Sequence, residues 1–437
     1  MNAQFNELVG NAILGIDTLW GGDVMSASGT GRFIADCWFS DEAMPLAYTH
    51  PAAARLRESG GILASNADRE AVKAYIDGVD VPGTIRAFCE VARSTPGLRG
   101  EYLQGLALCF ETMWEMAQEA LGEGPAVPYS RCVRACIGAD PSPSDPGPKR
   151  QRVAELLDRA GYRSVPEWRR DHRAPLASVR LLGEAFIAQF DRLAARHVAE
   201  YLPAELRAVP RANIEFLPIK DAWFSGSMNY LGRKRNSDGS PQYEASYEIN
   251  SSLEISIAEF AQLVSHEVVP GHVTTFAYLQ NLYARGEVGF EASVLTMNTR
   301  AAALFEGIAN NAILMAYGVT EVSELPEEDL QIGVLLALLQ DDAKNQASYL
   351  TWQEGWPQAE VAQALQRDYL VTEERADKLS GAWGRHPLLG SMYLPAYRAG
   401  TEKVAEWRRQ YRPEKLLPAL YGCRGLVDIT TLPNVLR

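Results

Sequence analysis

"HEVVPGH", residues 266–272, sets two of the chain's six histidines six positions apart, with a glutamate after the first and a Pro-Gly pair between them. These residue types bind metals, but the spacing is not that of a regular helix. In an H-E-x-x-H helix the histidines are four apart and share a face, about 6 Å apart along the axis. Six residues give about 240° of rotation and about 9 Å of rise, which aims two imidazoles in different directions. They could not both reach one zinc ion at about 2.1 Å. The sequence also forbids that regular helix. Pro270 lacks an N–H and its ring clashes with the carbonyl of His266, four residues back. Gly271 admits backbone conformations closed to other residues. If two residues are looped out, His272 returns beside His266. The breaker pair and the extra spacing then compensate for each other.

The preceding segment "SIAEFAQLVSHEVV" (256–269) reads as an amphipathic helix. Ser256 and Glu259 form a candidate capping box at its start, and Phe260, Leu263 and Val264 form an apolar face. It would deliver His266 and Glu267 near its end. Downstream, "TRAAALFEGIANNAILMAYG" (299–318) is an apolar helix interrupted by Glu306. An acidic residue in such a helix, 39 residues after Glu267, is a candidate third ligand.

"HEVVPGH" followed by "FEGIANN" resembles the bacterial metallohydrolase family catalogued as "domain of unknown function 885". Its members carry an HExxPGH motif and a later EGWA glutamate, and are regarded as relatives of thermolysin-like zinc peptidases. "DGSPQYEASYEIN" (238–250) and "GRHPLLGSMYLPAYRAGTEKV" (384–404) resemble further segments of that family, so the likeness covers residues 212–404. It implies that His266, His272 and Glu306 bind one zinc or other divalent ion. It implies that Glu267 takes a proton from the water the ion activates, and that Tyr397 donates to the oxyanion. Arg385, Asn250 and His386 become candidate substrate-binding residues. The implied fold is a thermolysin-like (gluzincin) architecture, mainly α with a small antiparallel β-sheet. The implied activity is hydrolysis of a peptide or small amide. Action on a small metabolite, by hydrolysis or another metal-dependent step, is the alternative. The chain departs from the family where the tryptophan of EGWA becomes Ile308, and where Asn310 and Asn311 stand in place of an acidic residue that related peptidases set behind a histidine ligand. Val273 also replaces a more polar residue.

The remainder of the chain bounds this reading. It has 437 residues, 47% apolar and 22% charged, with a net charge of −13. An acidic surface repels phosphate backbones and argues against nucleic acid as a partner. The densest basic run, "GRKRN" (232–236), is short. No charged leader and no apolar run of about 18 residues is evident, so a cytoplasmic protein without membrane association is expected. The six cysteines lack a zinc-box pattern and read as reduced thiols. Helical periodicity recurs at 98–121, 176–202 and 329–353. Strand character is limited to "ANIEFLPI" (212–219) and "QYEASYEINS" (242–251), expected to pair antiparallel across the turn-rich "RNSDGSPQ". The breaker-rich residues 138–149 divide an N-terminal helical region (1–137) from a metal-binding region (150–437), within two domains or one. Asp341 and Asp342, near Lys344, read as a solvated helix face. His50, His172 and His197 read as structural or surface residues.

Overall fold

A computed structural model describes residues 3–22, 36–65, 67–219, 226–250, 255–423 and 425–437. The fold is mainly helical with one small sheet. The helices used below are α1 (Ala3–Leu19), α2 (Gly97–Leu121), α3 (Gly147–Arg159) and α4 (Val179–His197). After the strands come α5 (Ile257–Glu267), α6 (His272–Ala284), α7 (Arg300–Tyr317), α8 (Glu328–Ser348), α9 (Glu373–Ser380), α10 (Leu394–Gln410) and α11 (Pro413–Tyr421). Helical segments therefore stand where the periodicity places them. The expected 176–202 helix ends at His197, and the expected 329–353 helix continues past α8 as a wide π-helical turn, Tyr349–Gln353.

The sheet has β1 (Ile214–Ile219), β2 (Gly226–Tyr230) and β3 (Ala245–Asn250) in the order β1-β3-β2. It corrects the expected antiparallel pairing. The two strands legible in the sequence, β1 and β3, lie parallel, with Ile214 opposite Ala245. The turn-rich segment joins β3 to β2, a strand not anticipated from the sequence, and that pair is antiparallel. β2 reads GSMNY, with little β-branched character to announce it. Residue 251, the last of the expected 242–251 strand, lies outside the described residues.

One large apolar core includes Val9 and Leu14 of α1, Leu103 and Phe110 of α2, Phe260 of α5, Ile308 of α7 and Leu436, and so draws on both sides of residues 138–149. A second cluster packs Val153 and Leu156 of α3 on Ile332, Leu336 and Leu339 of α8. Burial on more than one side has a consequence for α8: Asp341 and Asp342 are 3% and 2% exposed. This overturns their reading as a solvated face. Asp342 pairs with Lys149 of α3 at 2.7 Å, and burial pushes its carboxyl up to about 6.

The stretch Arg300–Glu324 is also long and apolar enough to cross a membrane, contrary to expectation, and 72% of its apolar window is buried inside the fold. It contains α7, which packs against α10 with main chains in contact. A Cβ on Gly307 would lie 2.3 Å from the Gly400 carbonyl oxygen, and one on Gly400 would lie 1.9 Å from that of Ala303. Asn310 and Asn311 of α7 thereby reach Thr401 of α10 across the interface. All six cysteines are free thiols, five of them buried.

Candidate metal centre

α5 begins with the expected capping box: Ser256 Oγ accepts from the Glu259 N–H, and Glu259 Oε2 accepts from the Ser256 N–H. Arg169 also holds the Glu259 carboxylate, with its closest contact at 2.6 Å. The helix ends at Glu267, and α6 starts at His272. The expected loop-out within one helix is therefore a break between two helices. Val269–Pro270 is a cis peptide. At Gly271 the chain passes so close to the end of α5 that a Cβ would lie 1.8 Å from the His266 carbonyl oxygen. A side chain would not fit. Tyr421 of α11 donates to the Pro270 carbonyl at 2.8 Å and fastens the turn from outside.

The break returns His272 to His266, with ring centroids 4.7 Å apart and planes at 88°. Glu306 faces both: its Oε2 lies 3.5 Å from His266 Nε2 and 3.8 Å from His272 Nε2. These three residues offer ligand atoms all within 4.8 Å of one another and could hold a metal ion. Their side chains retain 13%, 12% and 8% of their surface.

Each oxygen of Glu306 has a different task. Oε1 accepts from Tyr393 Oη at 2.5 Å, and Tyr397 Oη donates in turn to Tyr393 Oη at 3.2 Å. Oε2 is buried without a hydrogen-bond partner. His266 is similarly divided. Its Nδ1 lies 2.8 Å from Asn310 Oδ1, one helical turn beyond Glu306, so α7 engages both ring nitrogens. The amide of Asn310 donates to Asp341 Oδ2 at 2.7 Å and to Thr401 Oγ1 at 2.9 Å. With its hydrogens so committed, Asn310 Oδ1 can only accept. His266 Nδ1 therefore carries the proton, and Nε2 keeps its lone pair towards Glu306.

Burial sets the electrostatics. It pushes His266 well below its ordinary range, aided by His272 and Lys344, and it pushes His272 down to about 4. Both imidazoles are neutral near pH 7. Burial raises Glu306 to about 7, against the lowering effect of Lys344 and Tyr393. Burial and the neighbouring Glu306 raise Glu267 to about 8, although the Met228 N–H of β2 donates to its carboxylate. Two carboxyls held together in a water-poor site favour a cation between them.

The other predicted residues fall differently. Tyr397 joins the centre through Tyr393. Arg385 is exposed and donates to the Trp356 carbonyl at 2.8 Å. His386 Nδ1 accepts from the Leu389 N–H at 3.2 Å, a loop-capping contact, and its ring lies 6.2 Å from that of Trp20. Asn250 ends β3 opposite Ile219, and its side chain lies outside the described residues. His172 stacks on Trp168 and His50 packs edge-on against Tyr75, as structural histidines do.

Sequence reasoning passed over Tyr393 and read Asp341, near Lys344, as part of a solvated helix face. Tyr393 stands four residues before Tyr397, a spacing that places both on one helical face. Asp341 supplies, through Asn310, a carboxylate behind His266. Lys344 Nζ donates to Asp341 Oδ1 at 3.1 Å and lies 3.2 Å above the Tyr397 ring centroid.

No family model and no curated protein matches the chain. Among solved structures, a candidate lipoprotein from Colwellia psychrerythraea is similar over 88% of this chain and 75% of its own, at 14% identity and a TM-score of 0.53. The likeness is one of fold. A candidate lipoprotein of unknown function from Shewanella oneidensis is similar over 96% of this chain and 83% of its own, at 13% identity and a TM-score of 0.49.

Proposed function

We propose that the chain is a metal-dependent hydrolase of amide bonds, on a thermolysin-like plan, with His266, His272 and Glu306 as ligands of a divalent ion, in first place zinc. The observation that carries this reading is the convergence of two neutral Nε2 atoms on a buried carboxylate oxygen that no protein group satisfies. A buried carboxylate oxygen without a partner is costly in a folded protein, and a bound cation removes that cost. His266, His272 and Glu306 would hold such an ion, and its Lewis acidity would be the chemistry it supplies to water and a carbonyl.

The protein groups then have distinct roles. Glu267, adjacent in sequence to a ligand and absent from the ligand set, receives the proton of the attacking water and passes it to the leaving amine. Its high proton affinity suits the second half of that task, and a nearby cation would lower it enough for the first. Tyr393 orients Glu306. Tyr397 can turn its hydroxyl towards the developing oxyanion, at the expense of a long 3.2 Å hydrogen bond. Asn310, Asp341 and Thr401 fix the tautomer and orientation of His266.

The small residual exposure of the three ligands favours a second, narrower version: a small amide-bearing metabolite as substrate, in place of a long polypeptide. Metal analysis of the purified protein should find about one divalent ion per chain. Glu267→Gln should keep the ion and lower turnover by a factor of about 10²–10⁴. A screen of peptides against acylated and amidated small molecules finds the substrate. Wild-type turnover in Glu267→Gln, or a chain that takes up no ion, overturns the proposal.

A further inference from the structure

The centre continues past Tyr397 into a second group of charges. Lys344 sits over the Tyr397 ring, and beside it lies Arg375 of α9, whose guanidinium is 4.9 Å from the Trp383 ring centroid. Arg375 Nε is buried and makes no hydrogen bond. Among the described residues its guanidinium meets no carboxylate within ion-pair distance, although every other arginine or lysine named so far does so or donates to a carbonyl. Burial pulls Arg375 down from its ordinary range, and Tyr397, Asp341 and Glu374 act to restore it. Lys344 adds a like charge, and its only ion-pair partner, Asp341, also serves Asn310 and Thr401. Asp341 thus serves both cations, with Glu374 also acting on Arg375 and Glu306 on Lys344, and Arg375 Nε is left without a hydrogen-bonding partner. A buried guanidinium nitrogen without a partner is costly, and an anion at the guanidinium offsets that cost.

Its geometry suits one kind of anion. The fork of a guanidinium matches a carboxylate bidentately, and the indole beneath it holds the plane in place. The residue is only half-buried, so an approach from solvent exists. Lys344 lies against the ring of Tyr397, whose hydroxyl donates to Tyr393 and through it reaches Glu306, so the cations adjoin the tyrosines of the candidate metal centre.

We propose that Arg375, with Lys344, forms a subsite for a carboxylate of the substrate, making the preferred substrate an amide that bears a free carboxylate on one side of the scissile bond. This rests on the hydrolase reading above and adds the substrate class. Arg385, the arginine that the sequence suggested for this purpose, is exposed and occupied by a carbonyl.

The test uses full-length, zinc-loaded protein and a series of monohydroxamates of the linear dicarboxylic acids from succinic to pimelic, each beside its methyl ester. The hydroxamate reports on the metal and the distal carboxylate on Arg375. Calorimetry should find one chain length at which the free acid binds at least tenfold tighter than its ester. Arg375→Gln should abolish that increment and leave the ester's affinity and the zinc content unchanged. Arg375→Lys should retain part of it. If the esters bind but no acid gains over its ester, or if Arg375→Gln keeps the increment, the subsite is overturned and the metal reading stands. If neither acids nor esters bind a zinc-loaded protein, the metal reading falls and the subsite with it.

Discussion

Two buried polar groups lie side by side in this protein and have opposite character. In the first, Asn310, Asp341, Thr401 and Lys344 satisfy one another: Asp341 accepts from three neighbours, and both amide hydrogens of Asn310 are used. In the second, Glu306 Oε2 and His272 Nδ1 are buried without partners, and the Nε2 atoms of His266 and His272 both face Glu306 Oε2. His266 belongs to both, with one nitrogen in each. Completed networks hold structure together, whereas incomplete ones hold ligands. The lesson is that a functional site is recognised by the hydrogen bonds it omits as much as by those it makes.

That contrast can be broken experimentally. The largest effect should follow His272→Ala: divalent-ion affinity falls by several orders of magnitude, while the metal-free protein loses only the packing of the ring against His266 and no hydrogen bond of that side chain. Next comes Asp341→Leu, which leaves Lys344 buried without its counter-charge and should cost about 3–5 kcal/mol of folding free energy by denaturant titration. If His272→Ala destabilised the metal-free fold more than Asp341→Leu does, the distinction between the two groups would fail. A smaller effect is expected from Asn310→Ala, the link between them. It should weaken metal binding by about 10–100-fold, measured by competition with a chelator.

The smallest effect concerns pH. Burial holds His386 down at about 4, against an ordinary value of 6.5. The unfolded chain then binds its proton more readily than the folded one. The stability this represents is complete above about pH 6.5 and is lost as pH falls towards 4. His386→Gln should remove about 1–2 kcal/mol of that acid sensitivity in metal-free protein. His266 and His272 add to it in the same sense, whereas Glu267, Glu306 and Asp342, raised by burial, act in the opposite sense; saturation with metal, which competes with protons for the imidazole lone pairs, should suppress the histidine part.

The incomplete group was largely legible in the sequence and the complete one was not. His266, Glu267 and His272 are adjacent in the chain, and Pro270 with Gly271 announces the break. Glu306 stands out because its helix is otherwise apolar. Asp341 and Lys344, by contrast, lie three apart on a helix, a pattern common on solvated faces, and only the packing of α8 among its neighbours buries them. Arg375 sits in "EERADK", which reads as exposed, until α9 turns its guanidinium to Trp383. The third strand escaped notice because its residues carry little propensity of their own, and the mistaken antiparallel pairing of its neighbours followed from that omission.

The contact of Gly307 with Gly400 governs how far this site can drift. Glu306 rides on one main chain, and Tyr393 and Tyr397 are carried at or near the start of the other. The gap between them is thus a hard stop between two backbones, with no packed side chain serving as spacer. Substitutions elsewhere in the core can loosen or tighten the protein without changing that gauge. A single added methyl at either glycine would wedge the helices apart and detune the carboxylate while every reactive group remained in place.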